Sequence, residues 1–459
     1  MSALTRRDVG GWKMMGAPLL CLGLLGGILT SCAGSPSAPP SSGPIVGSPP
    51  PPPGGAGGGD GEKQTDVASA PGITSTTVTV GQVDDLTAPV AGLFKGAEDG
   101  TRAYFDYVNS LGGVNGRKIL LDARDSAYQG GVVASATSGI IQSDFAMVGG
   151  FSLLDSAELP LIDAAHVPDV AYPLSSDLAN SPYLYSPSPN SSQDLPIGFM
   201  KYLKQKYPKA IKHVGILWAN ATPSTQFAEQ AFERGLRKEG FKIVYDRGFG
   251  AAETTYLSDV LAMKAKGVQL FYSQQMIDLY AANLAKEMAQ QNFKPIVIQG
   301  AAYSTNLISD AGPAANGMYI EQSYPLFLPG GDAKRIPAVA LFDHWMTVAD
   351  PNANFEIEAV YGWIAAQLFT QALKNAGSTP TRASLLAALD KVTSFNGGGM
   401  IPPTDPATNV PYQCWLLAQV KSGNIVRVPP TPKTGYVCSP GGLLPAAGFK
   451  PEVRPAAAS

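Results

Sequence analysis

From Thr77 onward the hydrophobic period of the chain keeps switching, from two residues to about 3.6 and back. "TVTVGQV" alternates as a strand does. In the following "FKGAEDGTRAYFDYVNSLGG", Ala97, Tyr104, Val108 and Leu111 share one helical face, and Gly112 and Gly113 end the helix. Asn115-Gly116 makes a tight turn into the strand "KILLDAR". The helix "GVVASATSGIIQS", the strand "FAMVGGF", the helix "SAELPLIDAAH" and the strand "PDVAYP" continue the series. Strands that alternate with helices pair in parallel and carry helices on both faces of the sheet, so the pattern predicts an α/β fold.

The alternation breaks at a loop rich in serine and proline, "SPYLYSPSPNSSQD", and then resumes. Helical and strand periods succeed one another from "LPIGFMKYLKQKY" and "HVGILWA" through "KPIVIQG" and "GMYIEQSY". The helices "AVALFDHWMTVAD", "EIEAVYGWIAAQLFTQALKNAG" and "RASLLAALDKV" follow, and a late hairpin, "QCWLLAQVKSGNIVRV", turns at Ser422-Gly423. A single sheet with this many strands would be unusually long. Two series with a break near residue 190 predict two lobes.

Before Thr77 the chain has a different character. Arg6, Arg7 and Lys13 precede an apolar run from Ala17 to Leu29, which is shorter than the about 20 residues a membrane-spanning helix needs. Basic start, short apolar stretch and small residues have the layout of an export signal. "Leu29-Thr30-Ser31-Cys32" resembles a lipoprotein processing site, in which Cys32 becomes the lipidated N-terminus; an ordinary signal with an incidental cysteine is the alternative. The next stretch is dominated by proline, glycine and serine, has little to bury, and reads as a disordered tether to about Gly72.

The net charge of −3 offers no basic field for nucleic acid. Of the four cysteines, Cys21 would leave with the signal and Cys32 is the lipid site, so Cys414 and Cys438 remain. In an oxidising compartment that even pair reads as a disulfide, with two free thiols as the alternative. The three histidines, His166, His213 and His344, have no ligand spacing, so neither a metal nor a cofactor is expected.

"GGVNGRK" after the first helix, followed in order by "DSAYQGG", "MVGGFS", "AAHVPDVAYPLSS", "SPSPNSSQD" and "KHVGILWAN", resembles the type I periplasmic binding proteins, above all the substrate-binding lipoproteins of branched-chain amino acid ABC transporters. The likeness runs from about Ile73 to Val428. It implies two α/β lobes crossed three times by the chain, with parallel sheets, flanking helices and a ligand cleft between the lobes. The organisation implied is a signal peptide over 1–31, a tether over 32–72, lobe one over 73–192 plus 324–392, lobe two over 193–323 plus 393–440, and a disordered tail over 441–459. The function implied is capture of a small polar molecule (amino acid-like, amide or carboxylate) by hinge closure and delivery to ABC transporter permease subunits. The protein would be a monomer held to the outer face of the cytoplasmic membrane by its lipid. A sensor of the same fold, signalling to a membrane or regulatory partner, is the alternative.

The resemblance also implies which residues meet the ligand. Ser152 and the backbone of Leu154 would hold a carboxylate, although Ser152 placed just before a helix can equally cap it. Ser175 and Ser176 would offer hydroxyls, or form a hydroxyl turn. Asn190 opens the second lobe with an amide where branched-chain binders often carry an acid. Ser224 follows "WANATP", and Gln274 and Gln275 follow "VQLFYS". Ala301, Ala302 and Tyr303 follow "VIQG", where amino acid binders usually place an acid; Tyr303 either lines the cleft or packs. Trp218, at a strand end, either lines the cleft or, as its size favours, packs.

No motif argues for catalysis. The chain has no G-x-S-x-G elbow, H-E-x-x-H helix or Walker loop. The adjacent Asp343 and His344 point apart if they lie on one helix. The expectation is therefore a binding protein and not an enzyme.

Overall fold

The computed structural model describes residues 70–87, 94–189, 194–328, 331–353, 355–408, 410–432, 435–446 and 450. The expected signal peptide, Cys32, the expected tether up to residue 69 and Asn190 lie outside the described residues, whereas Gly72, expected to end the tether, accepts from the Thr79 N–H at 2.8 Å.

Two sheets organise the chain. In the first, β1 (Thr77–Asp84) pairs in parallel with β2 (Lys118–Asp125), with Thr77 opposite Lys118. On its other side β1 meets β3 (Met147–Val148), which pairs in parallel with β4 (Asp169–Val170), giving the order β2-β1-β3-β4. β1 alternates at its start and is buried on both faces towards its end, as a strand covered by helices on both sides must be. The chain then passes through β5 (Leu195–Pro196) into the second sheet. Its parallel core is β6 (Val214–Ala219), β7 (Ile243–Phe249), β8 (Leu270–Ser273), β9 (Ile296–Gln299) and β10 (Tyr319–Gln322).

The chain leaves this sheet after β10 and returns to the first lobe as three helices, Pro337–Ala349, Ile357–Asn375 and Arg382–Leu389. The helix Ile357–Asn375 is apolar almost all round, and most of its side chains are buried. It packs on the helix Lys95–Ser110 through reciprocal glycines. A Cβ on Gly100 would stand 1.9 Å from the carbonyl oxygen of Ala359, and one on Gly362 would stand 2.0 Å from that of Ala97. No residue but glycine allows that approach. Trp363 closes the same contact, edge-on to Tyr104 and Phe342 at ring-centroid distances of 4.9 and 5.4 Å.

The chain crosses once more to add β11 (Cys414–Lys421) and β12 (Asn424–Arg427) as an antiparallel hairpin beside β10. Its turn residues Ser422 and Gly423 both have positive φ, 50° and 76°, the geometry whose twist suits a two-residue hairpin. β13 (Val437–Cys438) lies on the start of β11, with Cys414 opposite Cys438, and the two cysteines are disulfide-bonded. Closing a loop of 24 residues stabilises a fold by about 3 kcal/mol.

Elements match the sequence periods closely except at three places. β3 and β4 are shorter than "FAMVGGF" and "PDVAYP", because the chain turns away from the sheet to form loops at residues 149–154 and 171–175. Ser304 caps a short helix, Thr305–Ala311, by accepting from the Leu307 N–H, in a stretch without clear periodicity. Residues 441–446, expected within a disordered tail, are held by partners in the fold. β14 (Leu443–Leu444) pairs antiparallel with β5, and Ile197 donates to the Gly442 carbonyl at 2.7 Å. Arg234 holds the Pro445 carbonyl at 2.6 Å, so the backbone of this segment is satisfied by lobe two.

Candidate functional site

The carboxyl ends of both parallel sheets open onto one cavity of about 420 Å³. Its wall is assembled from residues that follow strand ends. Phe151 and Leu153 follow β3, and Tyr172 and Leu174 follow β4. From the other lobe come Ala221 after β6, Ala251 after β7, Gln274 and Gln275 after β8, Gly300 and Ala301 after β9, and Ser323 and Tyr324 after β10. Ligands of open α/β sheets bind at this end, because the strands stop there and the loops diverge. The first turns of the helices Gly198–Lys206, Pro223–Lys238 and Ile357–Asn375 complete the wall.

Aromatic rings dominate the surface. Tyr172 and Tyr361 stack at 4.1 Å between centroids, and Phe151 stacks on Tyr361 at 5.4 Å. Tyr324 meets Tyr361 edge-on at 5.4 Å. Across the cavity Tyr272 is held edge-on by Phe232 at 4.8 Å and by Phe199 at 5.9 Å. Three of the polar wall residues come from the three segments that join the lobes. The hydroxyl of Ser188, before β5, lies 3.1 Å from that of Tyr324, after β10, and 2.8 Å from that of Tyr412, before β11. One hydroxyl cluster thus ties all three crossings together at the edge of the cavity. Burial raises the phenols of Tyr172, Tyr324 and Tyr361 above the ordinary tyrosine range, so they remain neutral donors and acceptors.

The charged wall residues are acids. Glu321, on β10, accepts from the Gln274 amide at 2.9 Å and from the Tyr272 hydroxyl at 3.2 Å. Glu358 sits in the first turn of the helix Ile357–Asn375. Burial raises both carboxyls, and Glu358, which also feels Asp278, is pushed up to about 7. Asp194 is the third acid of the wall, and among the described residues no lysine, arginine or histidine lines the cavity.

The residues singled out in the sequence fall into two groups. Ser224 and Gln275 line the cavity. Gln275 is also committed to the fold: its side chain accepts from the Ala219 N–H at 2.8 Å and donates to the Thr225 carbonyl at 2.9 Å. Ser152, Leu154, Ser175, Ser176 and Tyr303 are not among the lining residues. Tyr303 is buried, packs edge-on against Phe327 and accepts from the Leu328 N–H at 3.1 Å. Trp218 is buried and donates to Asp246 at 2.8 Å.

The serine loops have internal partners. The Ser152 hydroxyl donates to Asp85 at 2.7 Å and accepts from the Leu154 N–H at 3.1 Å. The Leu153 N–H goes to Asp85 at 2.8 Å, and the Phe151 N–H to Asp84 at 2.8 Å. The Leu174 and Ser175 N–H groups both donate to Asp155, at 2.6 and 3.1 Å, while the Ser175 hydroxyl caps the helix Ser176–Ala179. Donors that would suit a ligand carboxylate are therefore filled by the protein's own carboxylates. The sequence did not signal this: Asp84 and Asp85 stand at a strand end, and their reach to the loop 67 residues away exists only in the fold.

The family model of the periplasmic binding proteins matches residues 77–424. The chain belongs to the periplasmic binding protein family. Among solved structures, this periplasmic binding protein is similar to a fatty acid ABC transporter substrate-binding protein from Thermomonospora curvata, at 20% identity and a TM-score of 0.64, covering 84% of this chain and 97% of that one. It is similar to a branched-chain amino acid ABC transporter protein from Thermus thermophilus with bound valine, at 16% identity and a TM-score of 0.67, covering 79% and 97%. A third similar structure is the branched-chain amino acid transporter substrate binding protein from Streptococcus pneumoniae in complex with isoleucine, at 15% identity and a TM-score of 0.62, covering 76% and 98%. A search of curated protein sequences finds no match. At these identities the likeness establishes the shared two-lobed fold. Among the described residues no helix is long and apolar enough to cross a membrane, and no group of side chains has the arrangement of a metal site.

Behind the serine loops of this periplasmic binding protein lies a buried acidic group, Asp84, Asp155, Glu158 and Asp169. Burial raises all four carboxyls, Asp155 to about 6 and Asp169 to about 8; neighbouring acids add to the shift at Asp84, Glu158 and Asp169, while hydrogen bonds from Leu174 and Ser175 restrain it at Asp155. The folded state therefore holds protons that the unfolded chain releases at an ordinary carboxyl pKa of about 4. Stability from this group is fully present below that pH and is lost as pH rises through the folded values. Asp169→Asn is expected to change the melting temperature little at pH 4, where the folded and unfolded chains both still hold much of the proton, and to raise it by about 3 °C or more at pH 8.5. Calorimetry at the two pH values measures the difference, and equal shifts at both would contradict a proton held at Asp169.

Proposed function

We propose that this protein is the extracytoplasmic solute receptor of an ABC transporter, and that it binds its solute in the interlobe cavity without chemically changing it. The observation that carries the reading is the cavity itself, which draws its wall from the strand ends of both sheets. A solute lodged there touches both lobes at once and favours the closed arrangement by its differential affinity. The hydroxyl cluster of Ser188, Tyr324 and Tyr412 would act as the pivot, since all three lobe connections meet there. A transporter then distinguishes the loaded from the empty receptor by its shape.

The family membership and the transporter proteins of similar fold support this role. They also support a small molecule as ligand, with the valine, isoleucine and fatty acid named for those structures marking a range of apolar bodies. The present cavity suits such a body, with polar wall groups such as Gln274, Ser224 and Tyr412 for its polar end. Binding rather than catalysis is proposed because the family whose model matches the chain is one of binding proteins. Residue Cys32 is proposed as a lipid anchor, with the proline- and glycine-rich stretch after it as the tether.

A thermal-shift screen against amino acids, amides, aromatic acids, fatty acids and amines is expected to give at least one stabilising solute, because a binder of the folded state raises its stability by mass action. Ala228→Trp, which fills the cavity from the helix Pro223–Lys238, is expected to weaken that solute about tenfold or more without lowering the melting temperature of the free protein. Unchanged affinity in the variant would remove the cavity as the site. Cells lacking the gene are expected to lose uptake of the same solute; normal uptake with altered gene expression would favour a sensor. Labelled palmitate is expected on the wild type and not on Cys32→Ala, and a lipid-free wild type would exclude the anchor.

A further inference from the structure

We infer that the interlobe cavity selects a cationic solute, an amine or quaternary ammonium carried on an aromatic or aliphatic body, with Glu358 and the stacked rings of Tyr172 and Tyr361 receiving the positive end. This rests on the reading of the cavity as the solute site and names the class of solute. Three independent observations support it. The first is the charge of the wall, which carries carboxylates and, among the described residues, no lysine, arginine or histidine. Neither Glu321 nor Glu358 takes part in any ion pair among the described residues. A half-buried carboxyl without a cationic partner is costly when charged, and a cation entering the cavity supplies that partner.

The second observation is the set of rings around Glu358. Tyr361 lies one helical turn from it, stacks on Tyr172 at 4.1 Å, and meets Tyr324 edge-on. Aromatic faces carry negative potential and attract ammonium groups, most strongly where water is displaced. Glu358 and Tyr361 on adjacent turns of a helix fixed by the Gly100 and Gly362 contacts, with Tyr172 stacked on Tyr361, make a preorganised receptor for a cation. Burial holds the Glu358 carboxyl up near 7, and a cation placed beside it would favour its charged form.

The third observation concerns anions. The two loops of lobe one that offer converging N–H groups are occupied by Asp85 and Asp155. A solute carboxylate entering there would have to displace a buried side-chain carboxylate and leave it without donors. The same solute in the cavity would face Glu358 and Glu321. Both arrangements disfavour a simple acid, and they disfavour an α-amino acid by its carboxylate end.

The test compares three probes of nearly equal shape on the purified protein by calorimetry at pH 8: 3-phenylpropylamine, 4-phenylbutanamide and 4-phenylbutanoate. Hexyltrimethylammonium and hexanoate form an aliphatic pair. The amine and the ammonium are expected to bind about tenfold or more tightly than their uncharged or anionic counterparts. Glu358→Gln is expected to remove about tenfold of the amine affinity and to leave the amide within about threefold, while Ala228→Trp weakens every probe that binds. Tighter binding of the acid or the amide, or an amine affinity unchanged in Glu358→Gln, overturns the cationic class and leaves the receptor reading standing. Amine binding that survives Ala228→Trp overturns the cavity as its site, and with it both readings. Failure of both cations to bind at about 10 mM overturns the proposal as well, since a site built for a cation retains that much affinity for its simplest examples.

Discussion

Three chain segments join the two lobes, and they meet at one hydroxyl. Ser188 contacts Tyr324 and Tyr412, so that each crossing is held to the other two by a side chain that also borders the cavity. Neutral hydroxyls suit this position. They donate and accept in either direction, and they can exchange partners as the angle between the lobes changes. The neighbouring disulfide between Cys414 and Cys438 fastens the third crossing to the second sheet just beyond Tyr412.

The helix Ile357–Asn375 carries that arrangement into lobe one. Its burial is too complete for it to shift without opening the core, and the contacts of Gly100 with Ala359 and of Gly362 with Ala97 set its distance from the helix Lys95–Ser110 within a few tenths of an ångström. Its first turn consequently presents Glu358 and Tyr361 to the cavity from a rigid support. Lobe two answers with side chains mounted on strand ends, Tyr272, Gln274 and Glu321, which are themselves hydrogen-bonded together. A solute between them meets preorganised groups on both sides. The electrostatic character of the lobes follows from the same placement. In lobe one the loop N–H groups that attract anions are turned to Asp84, Asp85 and Asp155, and the negative charge left over is buried at the cost of raised carboxyl pKa values.

The sequence made the fold legible because α/β architecture is written in local periods. "TVTVGQV" and "HVGILWA" alternate or run apolar as parallel strands do, and the Ser/Pro loop near residue 190 marks the first crossing between lobes. The even pair Cys414 and Cys438 was readable for the same reason, since few residues competed for the bond. The site was legible only in part. Ser224 and Gln275 reach the cavity because they follow strands at their carboxyl ends, which is a topological rule. Ser152 and Ser175 follow strands too, but their hydroxyls are turned by Asp85 and by a helix N-terminus, partners set by tertiary contact. Glu358 and Glu321 gave no local sign: an acid in the first turn of a helix is ordinary, and one on a strand reads as solvent-facing. Only the assembled lobes bring them to the same cavity.

A crystal structure of the protein with the solute that most raises its melting temperature tests the central claim most directly. The expected result is solute density between the Tyr361 face of lobe one and the Tyr272 face of lobe two, with Asp85 and Asp155 still holding the serine loops. Solute bound instead to the N–H groups of Leu153, Leu174 and Ser175, with those two carboxylates turned away, would contradict it.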